Sequence, residues 1–209
     1  MDVHFKSCDT IQCRCETQGY WYLVAVALSA AIGEFVLAWF FAKSGAATVD
    51  AFHTFIHGLW YFLALSASWH ITSRNLSGRE EEKVRARYGV INFFLLFGVL
   101  TLIVGVEAIP RLIHPEVVVI PYMLVSVLIG LLGNVISLII LKKIKRDHET
   151  YHWLTLDTLA DLWLSLAILV SVPFVNTFPY LDPILTIVGA CWIAKMGYSL
   201  FVSKTVKNL

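Results

Sequence analysis

Long apolar runs separated by short polar connections set the plan of this chain. Six of them, over 20–41, 44–69, 88–109, 121–141, 151–172 and 179–203, each reach the roughly 20 residues an α-helix needs to cross about 30 Å of hydrocarbon. Pro110 and Pro115 separate the third run from the fourth, and Pro173, Asn176 and Pro179 separate the fifth from the sixth. Hydrocarbon offers no water to the backbone, so such runs must form helices. The pattern predicts an all-α integral membrane protein: a six-helix transmembrane domain over 20–203, an N-terminal tail over 1–19 and a short tail over 204–209.

Polar interruptions inside the runs carry the chemistry. On the second helix Asp50, His53 and His57 share one face, the histidines one turn apart, and on the fifth Asp157 and Asp161 repeat that spacing. Ionisable groups in a membrane helix are costly to desolvate and mark contact with a partner helix, an ion or water. Four residues rise about 6 Å, so an antiparallel register that levels His53 with Asp161 also levels His57 with Asp157. Two imidazoles and two carboxylates then form a box whose donors suit tetrahedral Zn2+ and admit Mn2+, Fe2+ or Co2+. With neutral imidazoles, the two carboxylates cancel the charge of a divalent ion, and without the ion protons take its place. That competition is the physical basis for antiport. The same Asp–His pairs can also act simply as buried cross-links between the two helices.

Other intramembrane polar positions read more locally. Asn92 and Asn134 are expected to bond between helices, Glu107 to pair near Arg111, and Glu34 either to pair structurally or to serve a proton or ion route. Cys191 reads as a small core residue.

Composition agrees with the pattern: 58% of the 209 residues are hydrophobic and only 15% charged, against about 25% in soluble domains. A formal net charge of +1 implies no nucleic-acid partner. Position matters more than total, because thirteen of the 16 Lys and Arg lie in the two tails and the second and fourth connections, leaving Lys43 and Arg111 opposite and Lys195 near the end of the sixth helix. The positive-inside rule places both termini in the cytoplasm. The N-terminus does not read as a secretory signal peptide. Small size and charge bias point to a bacterial inner membrane. In the tail, His4, Cys8, Cys13 and Cys15 can hold a soft metal as an auxiliary site, although their spacing matches no standard zinc pattern; the alternative is a disordered tail with reduced cysteines.

The chain resembles the cation diffusion facilitator family. The resemblance rests on Gly33-Glu34-Phe35 followed by Ser44-Gly45-Ala46-Ala47-Thr48-Val49-Asp50-Ala51-Phe52-His53 and His57, on Tyr88-Gly89 with Glu107 to Arg111 and Pro115, on Gly130 to Asn134, on Asp157 to Asp161 and on Asp182-Pro183-Ile184. It implies a six-helix transporter of zinc or a related divalent cation, of a short form lacking the cytoplasmic C-terminal domain, working as a homodimer with protons as the exchanged partner. It implies metal ligation by His53, His57, Asp157 and Asp161. The chain departs from the family's usual residue types at His57, where aspartate is common, and at Asp157, where histidine is common. Asp50, with Glu34 and Asn134, is then expected to support the ligands or relay protons. The ion is cargo, so neither enzyme activity nor a cofactor is expected. Two competing readings are a metal-binding membrane sensor or scaffold without flux, and a thiol redox protein using the tail cysteines; the absence of a Cys-x-x-Cys pair counts against the second.

Overall fold

Apolar runs measure hydropathy rather than backbone hydrogen bonding, and several helices extend past the runs that predict them. The computed structural model describes residues 14–76, 78–103, 106, 108–144 and 149–207. Its helices are α1 (Arg14–Phe35), continued by a π-helical stretch (Val36–Ala42), α2 (Gly45–Ser73), α3 (Arg79–Ile103), the short α4 (Ile109–Ile113), α5 (Ile120–Ile144), α6 (Glu149–Ser171), ending in a 3-10 turn, and α7 (Leu181–Lys207). The helix α1 therefore begins inside the expected tail, and α7 runs past 203. The start of α3 lies at Arg79 rather than 88, because the glutamates at 80–82 are polar but favour a helix N-terminus. What remains of the second connection is a tight turn in which Asn75 and Gly78 adopt left-handed φ of 50° and 59°.

Burial is inverted relative to a soluble protein. Glu34, Asp50, His53 and Asp161 are at most 2% exposed, whereas Phe40, Phe94 and Trp163 are each more than 60% exposed. By length and composition, Thr17–Ala42, Ile120–Ile144 and Leu154–Phe174 can each cross a membrane. With these long apolar helices, the chain is an all-α integral membrane protein.

The helix α2 is the hub. It packs against α1, α3, α5, α6 and α7, which is why its buried residues lie on nearly every side. Gly58 allows a close approach to α1, since a Cβ there would stand 2.6 Å from Leu28 Cδ2. Around α2, the helices α1, α5 and α6 complete one group, while α3 and α7 pack on α2 and on each other. Two apolar clusters close the ends of the first group. One contains Ala38, Ala42, Ala47, Met123, Ile168 and Val172, and the other Tyr20, Leu23, Tyr61, Leu65, Leu141 and Leu154. The ionisable groups lie between them.

The Lys43 end of the bundle is fastened by polar contacts. Asp182, in the first turn of α7, accepts from Ser44 Oγ at 2.6 Å, Gly45 N at 2.7 Å and Ala46 N at 3.3 Å, satisfying N–H groups at the start of α2 that the helix itself leaves unpaired. Arg111 approaches the same carboxylate at 3.9 Å and donates to the carbonyl of Lys43. Asn176 clasps the backbone of Val118 through both amide atoms, at 3.1 and 2.9 Å, and Val119 N donates to Ala42 O. Replacing Asp182 with alanine should lower stability in detergent by about 2–3 kcal/mol, and Ser44→Ala by about 1 kcal/mol. Thermal unfolding checks this, and an unchanged midpoint for Asp182→Ala would show that the clamp bears no load.

Candidate metal centre

Helical rise sets the geometry of the centre. Between Gly45 and Ser73, α2 runs away from the Lys43 end, and α6 runs toward it, so their one-turn spacings meet in register. His53 Nδ1 lies 2.8 Å from Asp161 Oδ1, and His57 Nε2 lies 2.8 Å from Asp157 Oδ2. Two cross contacts close the box: His57 Nδ1 to Asp161 Oδ2 at 3.5 Å and His53 Nε2 to Asp157 Oδ1 at 4.0 Å. A tetrahedral zinc with bonds near 2.0 Å sets its donors roughly 3.3 Å apart, and the four distances bracket that value. Donor atoms of His53, His57 and Asp161 lie within 4.8 Å of one another, with Asp157 against His57 beside them.

These short contacts are not well-directed hydrogen bonds. His53 Nδ1, His57 Nε2 and both oxygens of Asp161 are buried without an aligned partner. Leaving such groups unpaired is costly in an apolar interior, and imidazole nitrogens and carboxylate oxygens drawn this close are a donor set that can hold a cation.

The remaining polar groups form layers along the same column. On the Lys43 side, Ser165 Oγ donates to Asp50 Oδ1 at 3.0 Å, and Thr54 Oγ1 lies 3.2 Å from Glu34 Oε2. Asn134 reaches Asp161 from α5, though its Nδ2 makes no well-formed hydrogen bond. On the opposite side, Tyr61 Oη and Thr158 Oγ1 are 2.7 Å apart. The Thr158 proton is already spent on the carbonyl of Leu154, so Tyr61 is the donor. The switch of α1 to π-helical hydrogen bonding begins at Val36, two residues after Glu34, whose carbonyl accepts from Ser126 Oγ at 3.1 Å.

The structure thus brings together His53, His57, Asp157 and Asp161, with Asp50, Glu34 and Asn134 around them. His4, Cys8, Cys13, the side chain of Cys15, Glu107 and the side chain of Asn92 lie outside the described residues. Cys191 is corrected: it is exposed on α7 rather than in the core, because no described residue covers that face of the helix. Sequence reasoning missed Thr54, Ser165, Ser126, Tyr61 and Thr158. The signal was present as a hydroxyl one turn from a polar position for Thr54 after Asp50, Tyr61 after His57, Thr158 before Asp161 and Ser165 after Asp161, and two turns away for Ser126 before Asn134.

No curated protein matches the chain. The family model of the cation efflux transmembrane domain matches residues 20–207, nearly the whole of it. The chain therefore belongs to the cation efflux family, whose members are transporters and not enzymes.

Proposed function

We propose that this protein is a proton-coupled efflux transporter of Zn2+ or a similar divalent cation, Mn2+, Fe2+ or Co2+, with His53, His57, Asp157 and Asp161 as its ligands. The observation that carries this reading is the convergence of two imidazoles and two carboxylates, with four of their eight facing atoms lacking a directed hydrogen bond, between two apolar clusters of a cation efflux bundle. Charge supports exchange: a divalent ion balances both carboxylates, and on its departure protons on the imidazoles do so. Asp50 and Asn134 brace the ligands from the Lys43 side and from α5.

In this reading all six long helices cross the bilayer, including α2, α3 and α7, whose 29, 25 and 27 residues are ample for the span. The domain occupies 20–203, both termini face the cytoplasm of a bacterial inner membrane, the Lys43 end faces out, and the working unit is a homodimer. His4, Cys8, Cys13 and Cys15 are assigned to auxiliary metal acquisition on the cytoplasmic side.

Vesicles reconstituted with the protein and made acid inside should accumulate zinc above the level reached at equal pH. The double variant His57→Ala/Asp157→Ala should remain folded and carry no more than protein-free vesicles. Metal binding without flux in the unaltered protein would instead establish a sensor. Orientation has its own check in a Cys191→Ser background: a membrane-impermeant maleimide should leave Cys8, Cys13 and Cys15 unlabelled in intact cells and label them once the membrane is opened. Labelling in intact cells would reverse the topology.

A further inference from the structure

One buried acid stands apart from the four proposed ligands. Glu34 of α1 is 1% exposed, its Oε2 faces Thr54 Oγ1 and its Oε1 has no partner. Room for that carboxyl is made by Gly130 of α5, where a Cβ would overlap Oε1. Three helices give the level of this acid relative to the box. Gly130 precedes Asn134 by one turn, Asp50 precedes Thr54 by one turn, and Ser165, which holds Asp50, follows Asp161 by one turn on the antiparallel α6. Glu34 and Asp50 therefore form a layer displaced by up to one helical turn, about 4–6 Å, from the His53–Asp161 pair, on the Lys43 side.

We propose that Glu34 is a proton-binding site separate from the metal donors, which supplies protons to the imidazoles from the Lys43 side as the ion leaves. This rests on the exchange function proposed above.

Hydrogen-bond arithmetic supports a proton at Glu34. Thr54 has one hydroxyl proton and two acceptors in reach, Glu34 Oε2 at 3.2 Å and the Asp50 carbonyl at 3.1 Å. With the proton on Glu34 both contacts are satisfied, because Glu34 donates to Thr54 and Thr54 donates to the carbonyl. The charged surroundings agree. The titratable groups bearing on Glu34 are Asp50 of α2 and Asp161 of α6, with His53 and His57 beyond them; α5 contributes Ser126, Gly130 and Asn134, none of which titrates. No lysine or arginine is buried among the described residues. A bare carboxylate here has Asp50 and Asp161 for neighbours and only the shared Thr54 hydroxyl to offset its desolvation. Nor does the layer form a second metal site, since the converging donor group among the described residues is His53, His57 and Asp161. A proton needs no coordination shell.

The step balances simply. When the bundle opens on the Lys43 side and the ion departs, the O–H bond of Glu34 breaks and its proton passes, through water admitted by that opening, to an imidazole nitrogen the ion has released. Water from the same side then returns a proton to the carboxylate. Glu34 ends unchanged, and the box has gained one proton from the outer solution.

Two flux measurements in the same vesicles separate this role from a structural one. Net zinc uptake into acid-inside vesicles requires protons to reach the box, whereas exchange of isotopically labelled for unlabelled zinc at equal pH does not. Glu34→Gln should cut net uptake at least about tenfold while leaving exchange within about twofold, and Glu34→Asp should restore part of the net rate. Should Glu34→Gln fail to fold, Thr54→Val is expected to show the same selective loss. Equal loss of both fluxes, or loss of neither, in a folded variant overturns the inference while leaving zinc transport by the unaltered protein intact. Absence of both fluxes in the unaltered protein overturns the transport reading and this inference together.

Discussion

The antiparallel register of α2 and α6 is the constraint on which the rest of the structure turns. Because both helices repeat every turn, fixing His53 opposite Asp161 at 2.8 Å also fixes His57 opposite Asp157 at 2.8 Å. Slipping either helix by a single residue would rotate its pair of groups by about 100° and leave carboxylates facing apolar neighbours. In an interior of low dielectric that arrangement is costly, so the same electrostatic demand that suits the centre to a cation also favours this register of the helices.

Other features of the fold serve that register. The carboxylate of Asp182 anchors the first turn of α2 to α7, and Asn176 and Val119 tie the adjoining connections, so the depth of His53 is set from the Lys43 end. Apolar clusters on either side keep water from the ionisable layer. Within that layer, Ser165, Thr54 and Asn134 approach the carboxyl groups from three different helices. Its floor is closed by the hydrogen bond from Tyr61 to Thr158, one turn below His57.

Much of this was legible in the sequence, for a physical reason. Lipid removes alternatives: long apolar runs must be helices, and a charged group inside one demands a partner, so the i,i+4 pairs at His53/His57 and Asp157/Asp161 already implied that they face each other. Helix ends were less legible, because hydropathy marks where lipid stops and not where backbone hydrogen bonding stops, as α3 beginning at Arg79 shows. The π-helical stretch over Val36–Ala42 left no trace in composition. Hydroxyl groups were passed over because a serine or threonine in a membrane helix can satisfy itself on the carbonyl four residues back, as Thr158 does on Leu154, and only tertiary packing shows which of them also reach a carboxylate. Cys191 was misplaced because hydrophobicity cannot separate a protein core from lipid.

The most direct test of the centre is an anomalous-scattering measurement on crystals of the full chain soaked in zinc. The expected result is one strong peak enclosed by His53, His57, Asp157 and Asp161, lost in the His57→Ala/Asp157→Ala variant. A map with zinc bound only elsewhere, and nothing between α2 and α6, would contradict it and reduce the four side chains to a buried cross-link.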